Sequence, residues 1–218
     1  MAAAGLVSRG QTPNSKPDIA VIGASDSVKK AQNDKGIYTK YEYTDSNGKS
    51  IIIQNSFPRG GGTKYIDPKG QISYVVIFWT RITNETDNPL KLEIDFSGDS
   101  YEFPSTVGSS VGSYFKILLP SDTMTRDKES LFNYGVPDLK SFLDNNVDKP
   151  SSLKRTINPK NSSAFYVVRL SLPAQLPGDG NGTTRAELNL KGQNLFYTLN
   201  GKEIHCGSIN LKNSMLQK

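Results

Sequence analysis

The stretch QISYVVIFWTRIT, residues 71–83, decides the fold. In an extended chain successive side chains leave on opposite faces, so Ile72, Tyr74, Val76, Phe78 and Ile82 share one face. Val75, Ile77 and Trp79 share the other. A strand that is apolar on both faces through its middle has to be covered on both. It belongs inside a layered β structure.

Working outward, LKLEIDF at 90–96 alternates cleanly. Leu90, Leu92, Ile94 and Phe96 point inward, while Lys91, Glu93 and Asp95 meet solvent. Upstream, IYTKYEYT and KSIIIQNSF flank DSNG, and Asn47-Gly48 accepts the positive φ of a type I′ hairpin turn. Downstream, YFKILLP, SAFYVVRLSL, RAELNLKGQNLFYTL and EIHCGSINL read as strands, the last two joined by a second such pair, Asn200-Gly201. One helix is expected, in VPDLKSFLDNNV, where Leu139, Phe142, Leu143 and Val147 follow helical spacing. Pro137 suits its first turn, and Asp138 complements the positive end of the macrodipole.

Strands separated by regular turn signals predict an all-β chain, an antiparallel β-sandwich of immunoglobulin-like type with one short helical insertion. The expected organisation is a disordered leader over 1–36, a single sandwich domain over 37–212 and a tail over 213–218. The insertion falls around 97–158, capping one sheet or end. AAAGLV near the start is too short for a secretory hydrophobic region, although a trimmed export signal stays open as a reading.

Composition excludes several chemistries. The 218 residues fit one domain and carry a net charge of +5, from 26 basic and 21 acidic residues interleaved along the chain. Specific nucleic-acid binding needs a focused basic stripe, and the longest basic run is Lys29-Lys30. A single Cys rules out an internal disulfide or a Cys-based zinc site, and a single His rules out a His-pair metal site. No apolar run reaches the ~18 residues of a membrane span. Sequons at Asn84, Asn161 and Asn181 fix no compartment, because an Asn- and Ser-rich chain produces them by chance.

Four stretches are candidates for chemistry. His205-Cys206 pairs the only imidazole with the only thiol. On a strand, neighbours face opposite ways, so Cys206 goes to the core and His205 to solvent unless a bulge at Gly207 intervenes. FPRGGGTKY, residues 57–65, reads as an inter-strand loop, and Arg59, Gly60, Gly61, Gly62 and Lys64 are the candidate ligand-binding residues, as an anion nest. DGNGTT from Asp179 opens like a calcium loop, but its twelfth position is Leu190 rather than Glu. Tyr38, Tyr41 and Tyr43 with Trp79 offer either an aromatic platform for sugar or ordinary sheet packing. No catalytic residue, metal or cofactor is assigned.

Two segments carry a resemblance. RITNETDNPLKLEI, 81–94, resembles the strand-turn-strand of immunoglobulin- and fibronectin-III-like modules, and INPKNSSAFYVV, 157–168, is similar to the entry into a later strand of such sandwiches. From about Lys35 onward the chain also resembles an uncharacterised bacterial family of β-rich proteins of the Bacteroidota. That resemblance implies an envelope or exterior location and no particular activity. The expected function is a non-enzymatic binding or structural module, secreted, periplasmic or on the cell surface, contacting protein or glycan. The alternative is a hydrolase using carboxylates distant in sequence.

Overall fold

The computed structural model describes residues 36–44, 48–102, 114–172 and 185–210. Most of the leader, Asp45 to Asn47 of the first turn, the Asp179 loop with Asn181, and the tail lie outside the described residues. The chain is mostly β, in two antiparallel sheets, and β4 (Ile72–Asn84) is its axis. In the first sheet β1 (Ile37–Thr44), β2 (Ser50–Ser56), β4, β9 (Ser162–Leu172), β7 (Tyr114–Leu118) and β6 (Tyr101–Glu102) lie in that order. β3 (Arg59–Ile66) also pairs with β4. The second sheet runs β10 (Ala186–Lys191), β11 (Asn194–Leu199), β12 (Lys202–Asn210), β5 (Leu90–Phe96) and β8 (Ser151–Ile157).

The length of β4 lets it serve two partners on one side. Its first half takes β3, with Thr63 opposite Val75, and its second half takes β2, with Ile53 opposite Ile82. β9 pairs along the whole of the other side, from Tyr74↔Ser171 to Thr83↔Ser162. The two-faced pattern of 71–83 follows directly. Val76, Phe78 and Ile82 join Phe165 and Val167 in the core between the sheets, against Leu92, Ile94, Phe96 and Leu188. Val75, Ile77 and Trp79 lie in a second cluster on the outer face, with Tyr166 and Val168. The inward set of 90–96 is at most 2% exposed, as its alternation predicts.

The outer face is covered by the chain between β7 and β8. Two short 3₁₀ segments (Arg126–Ser130 and Phe132–Gly135) precede α1 (Leu139–Asn146). Leu143 of α1 is buried, and Leu139, Phe142 and Val147 pack beside it on the outer cluster, the face expected from their spacing. Asp138 makes no side-chain cap; it takes φ +40°, and its carbonyl accepts the Phe142 N–H. The other end of the helix is held by Lys116 of β7, which donates to the Val147 carbonyl at 2.8 Å and to Asp148 at 2.7 Å. A cation there satisfies carbonyls the helix leaves open.

Two local readings differ from the sequence expectation. Residues 59–66 form β3 rather than a loop, with a register shift between Arg59 and Thr63 that absorbs the glycines as a bulge. The run 185–199 is a hairpin rather than one strand, turning at Gly192-Gln193 with Gly192 at φ +65°. Within 97–158, β6 and β7 extend the first sheet and β8 the second, and 119–150 forms the outer covering. The Asn200-Gly201 turn is as expected, with both residues at positive φ between Leu199 and Lys202.

The chain crosses between sheets from β4 to β5 and back from β8 to β9, and the two crossings lie side by side. Asn84, fully buried, ties them together. Its Nδ2 donates to the Asn88 and Ile157 carbonyls at 2.8 and 3.0 Å, and its Oδ1 accepts the Thr86 N–H and hydroxyl. Its main chain exchanges bonds with Asn161 and Lys160. Every polar group of this buried amide is paired, as burial demands.

Candidate functional site

The lone imidazole and thiol do not meet. The bulge that Gly207 allows is present: Leu195 lies opposite Gly207 and Phe196 opposite His205, leaving Cys206 as the extra residue. Gly207 takes φ +149°, and a Cβ there would lie 2.0 Å from the Glu93 carbonyl oxygen, so only glycine fits. Even so, His205 stays exposed, its ring edge-on to Phe196 at 5.3 Å between centroids. Cys206 is 2% exposed, its Sγ donates to the Leu195 carbonyl, and burial pushes its thiol up to about 12. A thiol so placed is a core residue, not a nucleophile.

The glycine-rich segment is built into the outer covering. Arg59 stacks over the Tyr134 ring, 4.3 Å from its centroid, and donates to the Leu131 carbonyl. Gly60 has φ +77°, and a Cβ there would come within 2.7 Å of Asn133 Oδ1. Gly61 and Lys64 are exposed, and the backbone of Gly62 continues β3. Arg59 and the glycines therefore share one locality, while the guanidinium of Arg59 already holds an aromatic ring and a carbonyl. Opposite them Asn133 and Tyr134 occupy the left-handed region, with φ 49° and 54°, an arrangement costing ~1–2 kcal/mol per residue. Tyr134 holds it by donating to the Phe57 carbonyl at 2.7 Å, while its own carbonyl accepts the Tyr166 hydroxyl at 3.0 Å.

The aromatic residues do not form a common platform. Trp79 is 1% exposed within the outer cluster, whereas Tyr41 and Tyr43 pack against the core between the sheets.

A cleft of about 460 Å³ opens where the 120–126 segment passes the start of β9. Arg81, Arg126 and Arg155 line it, with the hydroxyls of Thr125, Ser162 and Ser163. Each arginine is held differently. Arg81 of β4 is 6% exposed, pairs with Glu129 at 2.5 Å and lies over the Trp79 ring. Arg155 of β8 is half-buried, and its Nη1 donates to Ser163 Oγ at 3.0 Å and to the Ala164 carbonyl at 2.9 Å. Arg126 is exposed. Burial holds the Arg155 guanidinium below its usual value, yet a guanidinium keeps its charge at neutral pH. Neither Arg126 nor Arg155 belongs to an ion pair among the described residues.

These arginines are scattered along the sequence, and no motif marks them. Parity holds a signal nonetheless: Arg81 continues the row Val75, Ile77, Trp79, and Arg155 stands between Leu153 and Ile157 on an inward row. A cation in line with buried side chains needs a partner or a ligand.

The resolved carboxyl shifts all run downward. Hydrogen bonds from Thr125, Lys140 and Lys116 hold Asp127, Asp144 and Asp148 respectively below the usual carboxylate range. Among the described residues no group of three or more His, Cys, Asp or Glu side chains could hold a metal ion. No described helix is long and apolar enough to cross a membrane. No protein-family model, curated protein or solved structure matches the chain.

Proposed function

We propose that the chain is a non-enzymatic binding module of the cell exterior or periplasm, which receives a protein or glycan ligand at the arginine-lined cleft. The observation that carries this reading is Arg155, a half-buried guanidinium fixed by Ser163 and Ala164 without a carboxylate partner among the described residues. A cation held rigidly in a cleft is an anion receptor in waiting. The inert thiol, the exposed imidazole and the lowered carboxyls weigh against the hydrolase alternative, which requires an acid with a raised pKa. The immunoglobulin-like resemblance, in this reading, is one of layers: its two segments are the two crossings joined at Asn84. The exterior address rests on the bacterial family resemblance.

The test is heteronuclear NMR of the full chain titrated with panels of neutral and anionic oligosaccharides and with peptides. Shift changes confined to residues 81, 123–126, 155 and 162–164, with the ligand recovered intact, are the expected result. Cleavage of any ligand, or silence against every panel, overturns it.

A further inference from the structure

Resting on the binding-module reading, the geometry points to the class of ligand: we propose that the cleft is a subsite for an acidic glycan, with Arg155 donating side-on to the carboxylate or sulfate of one sugar. A guanidinium has five N–H donors in a fixed plane. In Arg155 both bonds run from Nη1, to Ser163 Oγ and the Ala164 carbonyl, and no bond from Nε or Nη2 is formed among the described residues. The Nε–Nη2 edge is therefore the free side of a plane whose orientation is already set. That edge presents two parallel N–H groups, the pattern that fits a carboxylate or sulfate bidentately.

Charge around the cleft agrees. Arg81 is neutralised by Glu129, and the Asp127 carboxylate is engaged by the Thr125 hydroxyl. Among the described residues, Arg155 and Arg126 are left as the unpaired cations of the lining.

The remainder of the lining selects a sugar over a peptide. Ser162 offers a hydroxyl that both donates and accepts, and the Ser163 hydroxyl, which accepts from Arg155, keeps its donor, matching a polyhydroxylated ring. Met124 and Ala164, the lining residues with apolar side chains, are only 2% and 5% exposed and give little purchase to a hydrophobic anchor. Peptide recognition relies on such anchors or on an open strand edge; β8 is such an edge, and triglutamate reads that alternative in the test below.

An inward-pointing charge on an edge strand such as β8 also discourages edge-to-edge pairing. Arg155→Lys separates the two roles, because lysine keeps the charge and loses the fork.

The experiment is calorimetric titration of the full chain at low salt with four probes: a uronic-acid trisaccharide, a sulfated trisaccharide, a neutral trisaccharide and triglutamate. At least one anionic sugar should bind tenfold or more tighter than the neutral one, and the stronger of the two identifies carboxylate or sulfate as the recognised group. Arg155→Lys should weaken that binding at least about tenfold, from loss of a charge-assisted bidentate pair, with the far-UV spectrum and hydrodynamic size unchanged. Arg126→Gln, at an exposed position that does not threaten folding, should weaken it by a few-fold. Triglutamate binding as tightly as the sugars, or unaltered affinity in Arg155→Lys, overturns the glycan subsite while leaving the binding-module reading in place. Turnover of a bound sugar overturns the non-enzymatic reading and leaves the subsite standing.

Discussion

The side-chain amide of Asn55 pairs with the main chain of Leu188 as a further strand would. Its Nδ2 donates to the Leu188 carbonyl at 3.0 Å, and its Oδ1 accepts the Leu188 N–H at 2.9 Å. Asn55 sits on β2 of the first sheet and Leu188 on β10, the edge of the second. Two positions on, the Leu190 N–H is taken by the Tyr43 hydroxyl at 2.8 Å. An open edge would present these groups to any passing strand. Here the opposite sheet closes it with side chains, and the sandwich curls toward a barrel on that side.

Replacing Asn55 by Ala should therefore cost more than an average core change. The Leu188 N–H and C=O lose their partner, as do the hydroxyls of Thr39 and Thr80. Buried groups left unpaired cost about 1–3 kcal/mol each, so a net loss of about 3 kcal/mol is expected. Urea unfolding should show a lower midpoint with an unchanged slope. A loss below about 1 kcal/mol would mean that water replaces the amide and the edge is open.

Gly207→Ala should disrupt the pairing of β12 with β5. The added methyl would meet the Glu93 carbonyl at 2.0 Å, main chain against which no rotamer can yield. Gly201→Ala, at φ +85° with nothing nearby, carries the backbone cost alone, about 1 kcal/mol. Thermal unfolding of the two variants should rank them in that order by a wide margin; equal stabilities would contradict the bulge.

Cys206 predicts an alkaline loss of stability. Its thiol is raised to about 12 in the folded chain, so above the unfolded pKa near 9 the unfolded state sheds a proton that the folded state retains. Stability is then full below pH 9 and falls between pH 9 and 12 by about 1.4 kcal/mol per pH unit from this group. Tyr65, raised to about 12 by burial and its bond to Asp144, acts in the same direction above pH 10. In Cys206→Val the fall between pH 9 and 10 should flatten. Thiol reagents should label native Cys206 only at the rate of unfolding.

Gly60 and Asn133 should behave as a coupled pair. Gly60→Ala places a methyl 2.7 Å from Asn133 Oδ1, which is buried and without a hydrogen-bond partner among the described residues. Asn133→Gly removes that oxygen and relieves a left-handed backbone, and it should be neutral or stabilising by up to about 1 kcal/mol. The double variant should recover part of the Gly60→Ala loss, which a double-mutant cycle reads as a coupling. Strict additivity would place the contact elsewhere.

Much of the sandwich is legible in short windows. The alternation of 90–96 and the double alternation of 71–83 name the inward residues, because strand parity depends only on neighbours along the chain. The Asn200-Gly201 turn and the apolar face of α1 are readable for the same reason. β3 escaped because three glycines carry no side chains and so no alternation. The Lys191–Asn194 turn escaped because Gly-Gln is a weaker signal than Asn-Gly.

The sequence by itself determined a mostly β chain, the faces of its strong strands, and the separation of His205 from Cys206. Tertiary structure alone decided which strands pair beyond the Asn-Gly hairpins, that the two crossings share Asn84, and that Arg81, Arg126 and Arg155 line one cleft. Local pattern is written by forces between neighbours on the chain. A cleft is made where segments far apart in sequence pack, and no periodicity in any one of them records the others.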